Sequence, residues 1–200
     1  MPTPKSYISY SQLVLFERSP ELYAEQYIYG KKQRISRNIA LGSAMADGLE
    51  FEESTGDPLL DLMASRLPKF ELMDKPIEAV LEYKKEKISL LAKPDSCKKD
   101  MTAFKEYKTS VRKWSQKMVD DSCQITFYAM VMWLKTGKIP KDIELVCVKT
   151  AYSEQGQLSV TGDMYSYKTS RNGADIAKLS ARIYNAWQGI KQLCEKELLT

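Results

Sequence analysis

Two carboxylates and a lysine occur at a spacing that could bind a metal ion and support hydrolysis. Asp95 follows Pro94, and ten residues separate it from the run Glu106-Tyr107-Lys108. If this run lies in a strand, Glu106 and Lys108 point to the same face, because side chains alternate with a period of two. A turn at Pro94 and a neighbouring antiparallel strand could bring Asp95 beside Glu106. Two carboxylates at a sheet edge would suit Mg²⁺ or Mn²⁺.

A divalent ion held there would lower the pKa of a bound water and offset negative charge on a phosphoryl group. Lys108 could orient or deprotonate that water, or stabilise the charge. The spacing alone is not specific, because 28% of the residues are charged and Glu82-Tyr83-Lys84 follows Asp74 in a similar arrangement. Taken in isolation, the side chains of the first motif could also form a solvated hairpin face.

The composition restricts the chemistry further, because the 200 residues include no histidine. Ser-His-Asp and Cys-His catalysis are therefore excluded, and so is every mechanism with an imidazole general base. Any enzymatic chemistry must use carboxylates, lysine and tyrosine. The net charge of +4 permits a polyanionic partner without requiring one.

The cysteines and the hydropathy pattern indicate the cellular setting. The four cysteines form no CxxC pair, so we expect free thiols in a reducing compartment rather than a metal–thiolate site. No run approaches the roughly 20 apolar residues of a membrane span, and the first residues contain no apolar signal segment. We expect no membrane association and a cytoplasmic location, in a bacterial or phage-infected host cell.

Hydrophobic patterning predicts alternating helices and strands. Predicted helices cover residues 11–30 (with a break at Ser19-Pro20), 39–51, 59–63, 119–134 and 176–199. Predicted strands cover residues 79–81, 88–91, 103–108, 143–148 and 158–161, the first three as a meander. This order predicts a single α/β domain with a mixed sheet over residues 1–200. Its parts are a helical N-terminal part (1–75), a sheet core with the active site (76–170) and a C-terminal helix (171–200).

The motif around Glu106 has a sequence context that resembles a known family. EYKT is followed by Trp114 and then by QITFY, in which Gln124 and Tyr128 share one helix face at i, i+4 spacing. This combination resembles the RecB-like branch of the PD-(D/E)XK nuclease superfamily. The segments SYISYSQLVLFERSPELYAEQY, LGSAMADGLE and IPKDIELVCVKT look like other signatures of that branch, and they occur in the expected order over residues 7–150.

The resemblance implies a fold and a set of roles. The fold would be a restriction-endonuclease-like core, with a central mixed β-sheet flanked by helices and preceded by an N-terminal helical segment. Asp95, Glu106 and the backbone carbonyl of Tyr107 would bind Mg²⁺ or Mn²⁺, and Lys108 would be the catalytic lysine. Two further residues, Gln124 and Tyr128, would support the active centre or contact DNA near the scissile phosphate. Tyr128 could instead be a core aromatic.

The sequence departs from the family pattern at two places. Ser19-Pro20 stands where many relatives have Cys-Pro, and no C-terminal cysteine trio follows, so we expect no iron–sulfur cluster. Ala46 stands where relatives carry a metal-binding histidine. A nearby carboxylate such as Glu50 or Asp47 could complete the site, the metal could have fewer ligands, or activity could be weakened. Glu50, which would share the helix face of Ala46, is the preferred substitute, and a surface acid is its alternative.

A concentration of basic residues around the motif predicts the DNA-facing surface. Residues 93–117 hold eight basic side chains against three acidic ones, and binding through such a surface should weaken with added salt. The candidate DNA contacts are Lys93, Arg112, Lys113, Trp114 and Lys117. Trp114 could stack on an unpaired base or simply cover the sheet.

These observations predict a metal-dependent DNA nuclease, with an exonuclease favoured over an endonuclease, acting in recombination, repair or phage DNA processing. The alternative is a non-catalytic nucleic-acid-binding or assembly subunit that keeps the nuclease fold, as Ala46 would favour. The chain has no Walker loop, so ATP-driven strand separation would need a partner. DNA is the expected partner, and a recombination protein or further copies of this chain are additional ones.

Overall fold

A computed structural model describes residues 5–31, 41 and 54–197. In the described residues the helices are α1 (Tyr10–Arg18), α2 (Pro20–Tyr23), a π-helical turn (Ala24–Ile28), α3 (Pro58–Arg66), α4 (Gln116–Asp120), α5 (Cys123–Thr136) and α6 (Gly173–Glu197). The strands are β1 (Ile8–Ser9), β2 (Leu72–Met73), β3 (Ile77–Tyr83), β4 (Glu86–Ala92), β5 (Ser96–Cys97), β6 (Ala103–Ser110), β7 (Asp142–Tyr152) and β8 (Leu158–Thr169).

The strands form two sheets rather than one. The larger sheet has the order β2-β5-β6-β7-β8, and the smaller has the order β1-β4-β3. In the larger sheet β6 and β7 are parallel and the other pairs are antiparallel, so the predicted mixed sheet is confirmed. The predicted three-stranded meander is wrong, because β6 leaves β4 and pairs with the short strand β5 that follows Pro94.

Two apolar layers cover the two faces of the large sheet. Phe104, Leu145 and Cys147 face the main core, which contains α5 and the buried side of α6. Tyr107 and Val146 face the opposite way, onto a smaller core formed with α3. This division follows the alternation of side chains along β6 and β7, so that only one face of β6 points at α5.

Helix α5 faces β6, and local sequence signals determine where it begins and ends. Ser122 caps α5 by accepting a hydrogen bond from the backbone N–H of Ile125, and Gly137 ends it with a left-handed φ of 74°. The single helix predicted over residues 119–134 is therefore wrong. It is two helices, α4 and α5, separated at Asp121-Ser122.

The N-terminal helices follow the predicted break. Ser19 caps α2, in which Pro20 occupies the first turn, because proline lacks the N–H that an interior position would need. The predicted helix over residues 39–51, including Ala46, Asp47 and Glu50, lies outside the described residues except for Leu41. None of the described helices is both long and apolar enough to cross a membrane. All four cysteines are free thiols.

Candidate active site

The pairing of β5 with β6 brings Asp95 next to the Glu106 strand. Ser96 is opposite Lys105 in this antiparallel pair, so Asp95 reaches the level of Glu106. Oδ2 of Asp95 accepts a hydrogen bond from the backbone N–H of Tyr107 at 2.6 Å. The sequence-based expectation that a turn at Pro94 could place the two carboxylates together agrees with this geometry.

Glu106 is the buried centre of the cluster. Its side chain is 3% exposed. Oε1 accepts hydrogen bonds from Nζ of Lys108 at 2.6 Å and from Nε2 of Gln124 at 2.7 Å. Oε2 is also buried, and no side chain or backbone group of the described residues donates to it. A buried carboxylate oxygen without a donor is costly unless another group, such as a cation, contacts it.

The pKa values of the site reflect two acidic side chains that lie close together. Burial, and then the charge of Glu106, raises the pKa of Asp95 to about 8. Burial alone would lower the pKa of Lys108, but the charge and hydrogen bond of Glu106, together with Asp95, raise it overall. The site is thus a buried acidic pair with one ammonium, whose side chain is 31% exposed.

Helix α5 contributes the two polar residues that the i, i+4 spacing placed on one face. Nε2 of Gln124 donates to the hydroxyl of Tyr128 at 3.0 Å as well as to Glu106. The ring of Tyr128 packs against Phe104 with a centroid distance of 6.1 Å. Tyr128 is therefore both a core aromatic and a neighbour of Glu106, and burial with the Glu106 charge raises its pKa.

The described side chains supply oxygen ligands that suit a hard divalent cation, but too few to complete its coordination. Oε2 of Glu106 and the carboxylate of Asp95 are oxygen donors of the kind that Mg²⁺ and Mn²⁺ prefer. Within the ranges that the structure describes, no group of three or more acidic or cysteine side chains could hold a metal. Further ligands must come from backbone carbonyls such as that of Tyr107, from water, or from residues outside those ranges, which include Glu50.

The candidate DNA contacts differ in their surroundings. Lys93 forms an ion pair with Asp74, and Lys117 forms one with Asp121 at 2.9 Å. Arg112 is exposed, and Trp114 is half-buried against the main core. The fifth candidate, Lys113, lies with its Nζ 4.4 Å from the ring centroid of Tyr165.

Three residues near the site were missed by sequence reasoning. The backbone N–H of Asp74 donates to the carbonyl of Asp95 at 3.1 Å, and the Asp74 charge contributes to the raised pKa of Asp95. Arg171 donates to the carbonyls of Val119 and Ser122 at 3.0 and 3.1 Å, just before α5. The third residue is Tyr165, whose ring contacts Nζ of Lys113. Only the pairing of distant segments brings these residues here, so no local spacing could have indicated them.

Comparison with known proteins gives a structural likeness only. No protein-family model and no curated protein matches the sequence. A crystal structure of a proposed exonuclease from Eubacterium rectale matches with a TM-score of 0.57 and 11% identity, over 94% of this chain and 80% of that one. An alkaline exonuclease from Laribacter hongkongensis matches with a TM-score of 0.49 and 13% identity, over 96% of this chain and 94% of that one.

The likeness to the E. rectale structure, at 11% identity, shows that this chain shares its fold. The α/β fold with a mixed sheet flanked by helices, expected from the sequence, is confirmed.

Proposed function

We propose that this chain is a metal-dependent DNA nuclease that hydrolyses phosphodiester bonds. The observation that carries the proposal is the buried Oε2 of Glu106, which has no donor among the described residues. Its carboxylate is close enough to Asp95 for its charge to raise the pKa of that residue. A buried acidic pair of this kind fits Mg²⁺ or Mn²⁺, and the backbone carbonyl of Tyr107 is a further oxygen donor. When bound, the ion would offset charge on the phosphoryl group and acidify a water molecule.

The chain's own residues then have separate tasks. Glu106 and Asp95 hold the ion, and Gln124 keeps the Glu106 carboxylate oriented through its hydrogen bond to Oε1. Lys108 presents its ammonium at the edge of the site, where it can orient the attacking water or stabilise charge on a phosphoryl oxygen. Tyr128 supports the Gln124 amide from the core side.

DNA is the proposed substrate because the segment 93–117, which contains Asp95 and Glu106, holds eight basic side chains against three acidic ones. Arg112, Lys113 and Lys117 are exposed there and can contact phosphates, with Lys93 and Trp114 as additional contacts. An exonuclease is favoured because the E. rectale protein of similar fold is described as a proposed exonuclease. We further propose a role in recombination, repair or phage DNA processing, in the cytoplasm of a bacterial or infected cell.

The test is hydrolysis of single-stranded, duplex and branched DNA by the purified chain with Mg²⁺ or Mn²⁺. Wild-type protein should degrade at least one of these substrates, and Lys108→Ala and Asp95→Ala should each abolish the activity. Glu82→Gln is the matched control, because Glu82 belongs to the similar motif after Asp74 but lies exposed on the small sheet, paired with Lys87. A wild-type protein that is inert on all three substrates with both metals would refute the proposal.

A non-catalytic DNA-binding or assembly subunit is the second candidate, and Ala46 favours it. An alanine cannot replace a histidine ligand, so a degenerate site would bind no metal. Calorimetric titration with Mn²⁺ separates the two functions. Binding that disappears in Asp95→Ala supports the nuclease, whereas no binding by the wild type, together with retained DNA affinity, supports the second candidate.

A further inference from the structure

The strand register places an aromatic side chain on the same sheet face as the catalytic lysine. Lys108 on β6 is opposite Cys147 on β7, which is opposite Tyr165 on β8. Residues paired across a sheet point to the same face. With about 4.8 Å between neighbouring strands, Tyr165 lies about 10 Å from Lys108 across the sheet.

The chain between β6 and α4 covers the space between these two positions. Strand β6 ends at Ser110, two residues after Lys108, and the segment 111–115 then crosses to β8. The hydroxyl of Tyr167 donates to the carbonyl of Trp114 at 2.5 Å, which fixes this crossing. The crossing places Nζ of Lys113 over the ring of Tyr165 at 4.4 Å.

The pair differs from two of the other candidate DNA contacts in what its cation touches. Lys93 and Lys117 contact carboxylates, whereas Lys113 is exposed and lies against an uncharged ring. Tyr165 is itself half-buried on β8, the edge strand of the sheet. An exposed ammonium that turns from the ring to a phosphate frees the ring face it covered, so the pair can offer a phosphate contact and a stacking surface for a base.

We propose that Tyr165 and Lys113 form a subsite for an unpaired nucleotide a few nucleotides from the scissile phosphate, so that the preferred substrate at this site is single-stranded DNA. The ring of Tyr165 supports an unstacked base and Lys113 contacts its phosphate. At about 3.4 Å per nucleotide along a strand, the subsite is within about three nucleotides of Lys108. This inference rests on the proposed nuclease function, because it takes Lys108 as the position of the reacting phosphate.

The experiment compares single-stranded oligonucleotides with blunt duplexes of the same sequence. Binding is measured by fluorescence anisotropy in EDTA, and kcat/KM is measured with Mg²⁺ or Mn²⁺. Tyr165→Ala should lower single-strand affinity and kcat/KM by about 5- to 150-fold, the range expected for removal of one stacking aromatic. Tyr165→Phe should remain close to the wild type, because it keeps the ring. Tyr152→Ala is the matched control, since Tyr152 lies on the same hairpin and is 53% exposed.

A series of oligonucleotides with a single abasic position distinguishes stacking from a structural effect. One abasic position within the last few nucleotides should weaken the wild type and leave Tyr165→Ala almost unaffected, because the base that the ring supports is already missing. Equal losses at every abasic position in both proteins would overturn the inference. Unchanged single-strand affinity and kcat/KM in Tyr165→Ala, or an equal loss of both in Tyr165→Phe, would also overturn it.

The same experiment separates the two proposals. If the wild type cleaves DNA without any dependence on Tyr165, the subsite is wrong and the nuclease proposal stands. If it binds single strands through Tyr165 but cleaves nothing, nucleotide binding by Tyr165 stands, whereas its placement near a scissile phosphate and the nuclease proposal fail. A wild type that neither binds nor cleaves overturns both.

Discussion

The side-chain amide of Gln124 donates a hydrogen bond to Oε1 of Glu106 at 2.7 Å, across the interface between α5 and β6. The same oxygen accepts from Lys108, so one carboxylate oxygen has two donors while Oε2 has none among the described residues. This asymmetry orients the carboxylate and leaves Oε2 for an electrophile.

Metal binding should require both acids. We expect Glu106→Gln and Asp95→Asn each to abolish Mn²⁺ binding in calorimetric titration, because each removes one of two carboxylates in a site where the described residues form no larger group of acidic ligands. Glu82→Gln should titrate like the wild type. Undiminished Mn²⁺ affinity in both site variants would show that the ion binds elsewhere.

Gln124 should act by positioning Glu106. We expect Gln124→Ala to lower kcat by about 10- to 100-fold with little change in KM, because the carboxylate loses an orienting donor while the DNA-binding surface is unchanged. Gln192→Ala, on the exposed side of α6, provides the control. If Gln124→Ala raised KM and left kcat unchanged, Gln124 would be a substrate contact rather than a positioning residue.

The stability of the metal-free protein should fall as the pH rises. Burial and the charge of Glu106 raise the pKa of Asp95 from 3.8 to about 8. Between these values the folded state retains a proton that the unfolded state has lost, so the free energy of unfolding decreases by up to about 1.4 kcal/mol per pH unit. Thermal unfolding in EDTA from pH 4 to 9 measures this, and Asp95→Asn should flatten the profile.

Two controls make the pH prediction specific. Asp163 is exposed, so the stability of Asp163→Asn should depend on pH as that of the wild type does. Saturating Mg²⁺ should raise the Tm of the wild type most at high pH, where the carboxylate is free, and should not raise that of Asp95→Asn. Identical profiles for wild type and Asp95→Asn in EDTA would contradict the raised pKa.

Local patterning predicted much of the site because its residues are related by short-range periodicity. Alternation along β6 places Glu106 and Lys108 on one face, and helical spacing places Gln124 and Tyr128 together. The two-sheet arrangement was missed, because one of the two strands that pair with β6 has only two residues, Ser96–Cys97, and no pattern of its own. Tyr165 was missed for a related reason: two successive strand pairings bring it to Lys108.

Arg171 shows how a distant side chain fixes the position of Gln124. The guanidinium is buried, and it donates to the carbonyls of Val119 and Ser122 and to the hydroxyl of Thr126. Arg171→Ala would leave these groups without their donor, so we expect it to lower the free energy of unfolding by about 3 kcal/mol and to reduce activity. Arg171→Lys should lose stability and activity as well, because an ammonium lacks the planar, forked set of donors of a guanidinium. Urea denaturation measures the loss of stability. Arg66 is exposed, so Arg66→Ala is the control. An unchanged denaturation midpoint in Arg171→Ala would show that these hydrogen bonds do not fix the start of α5.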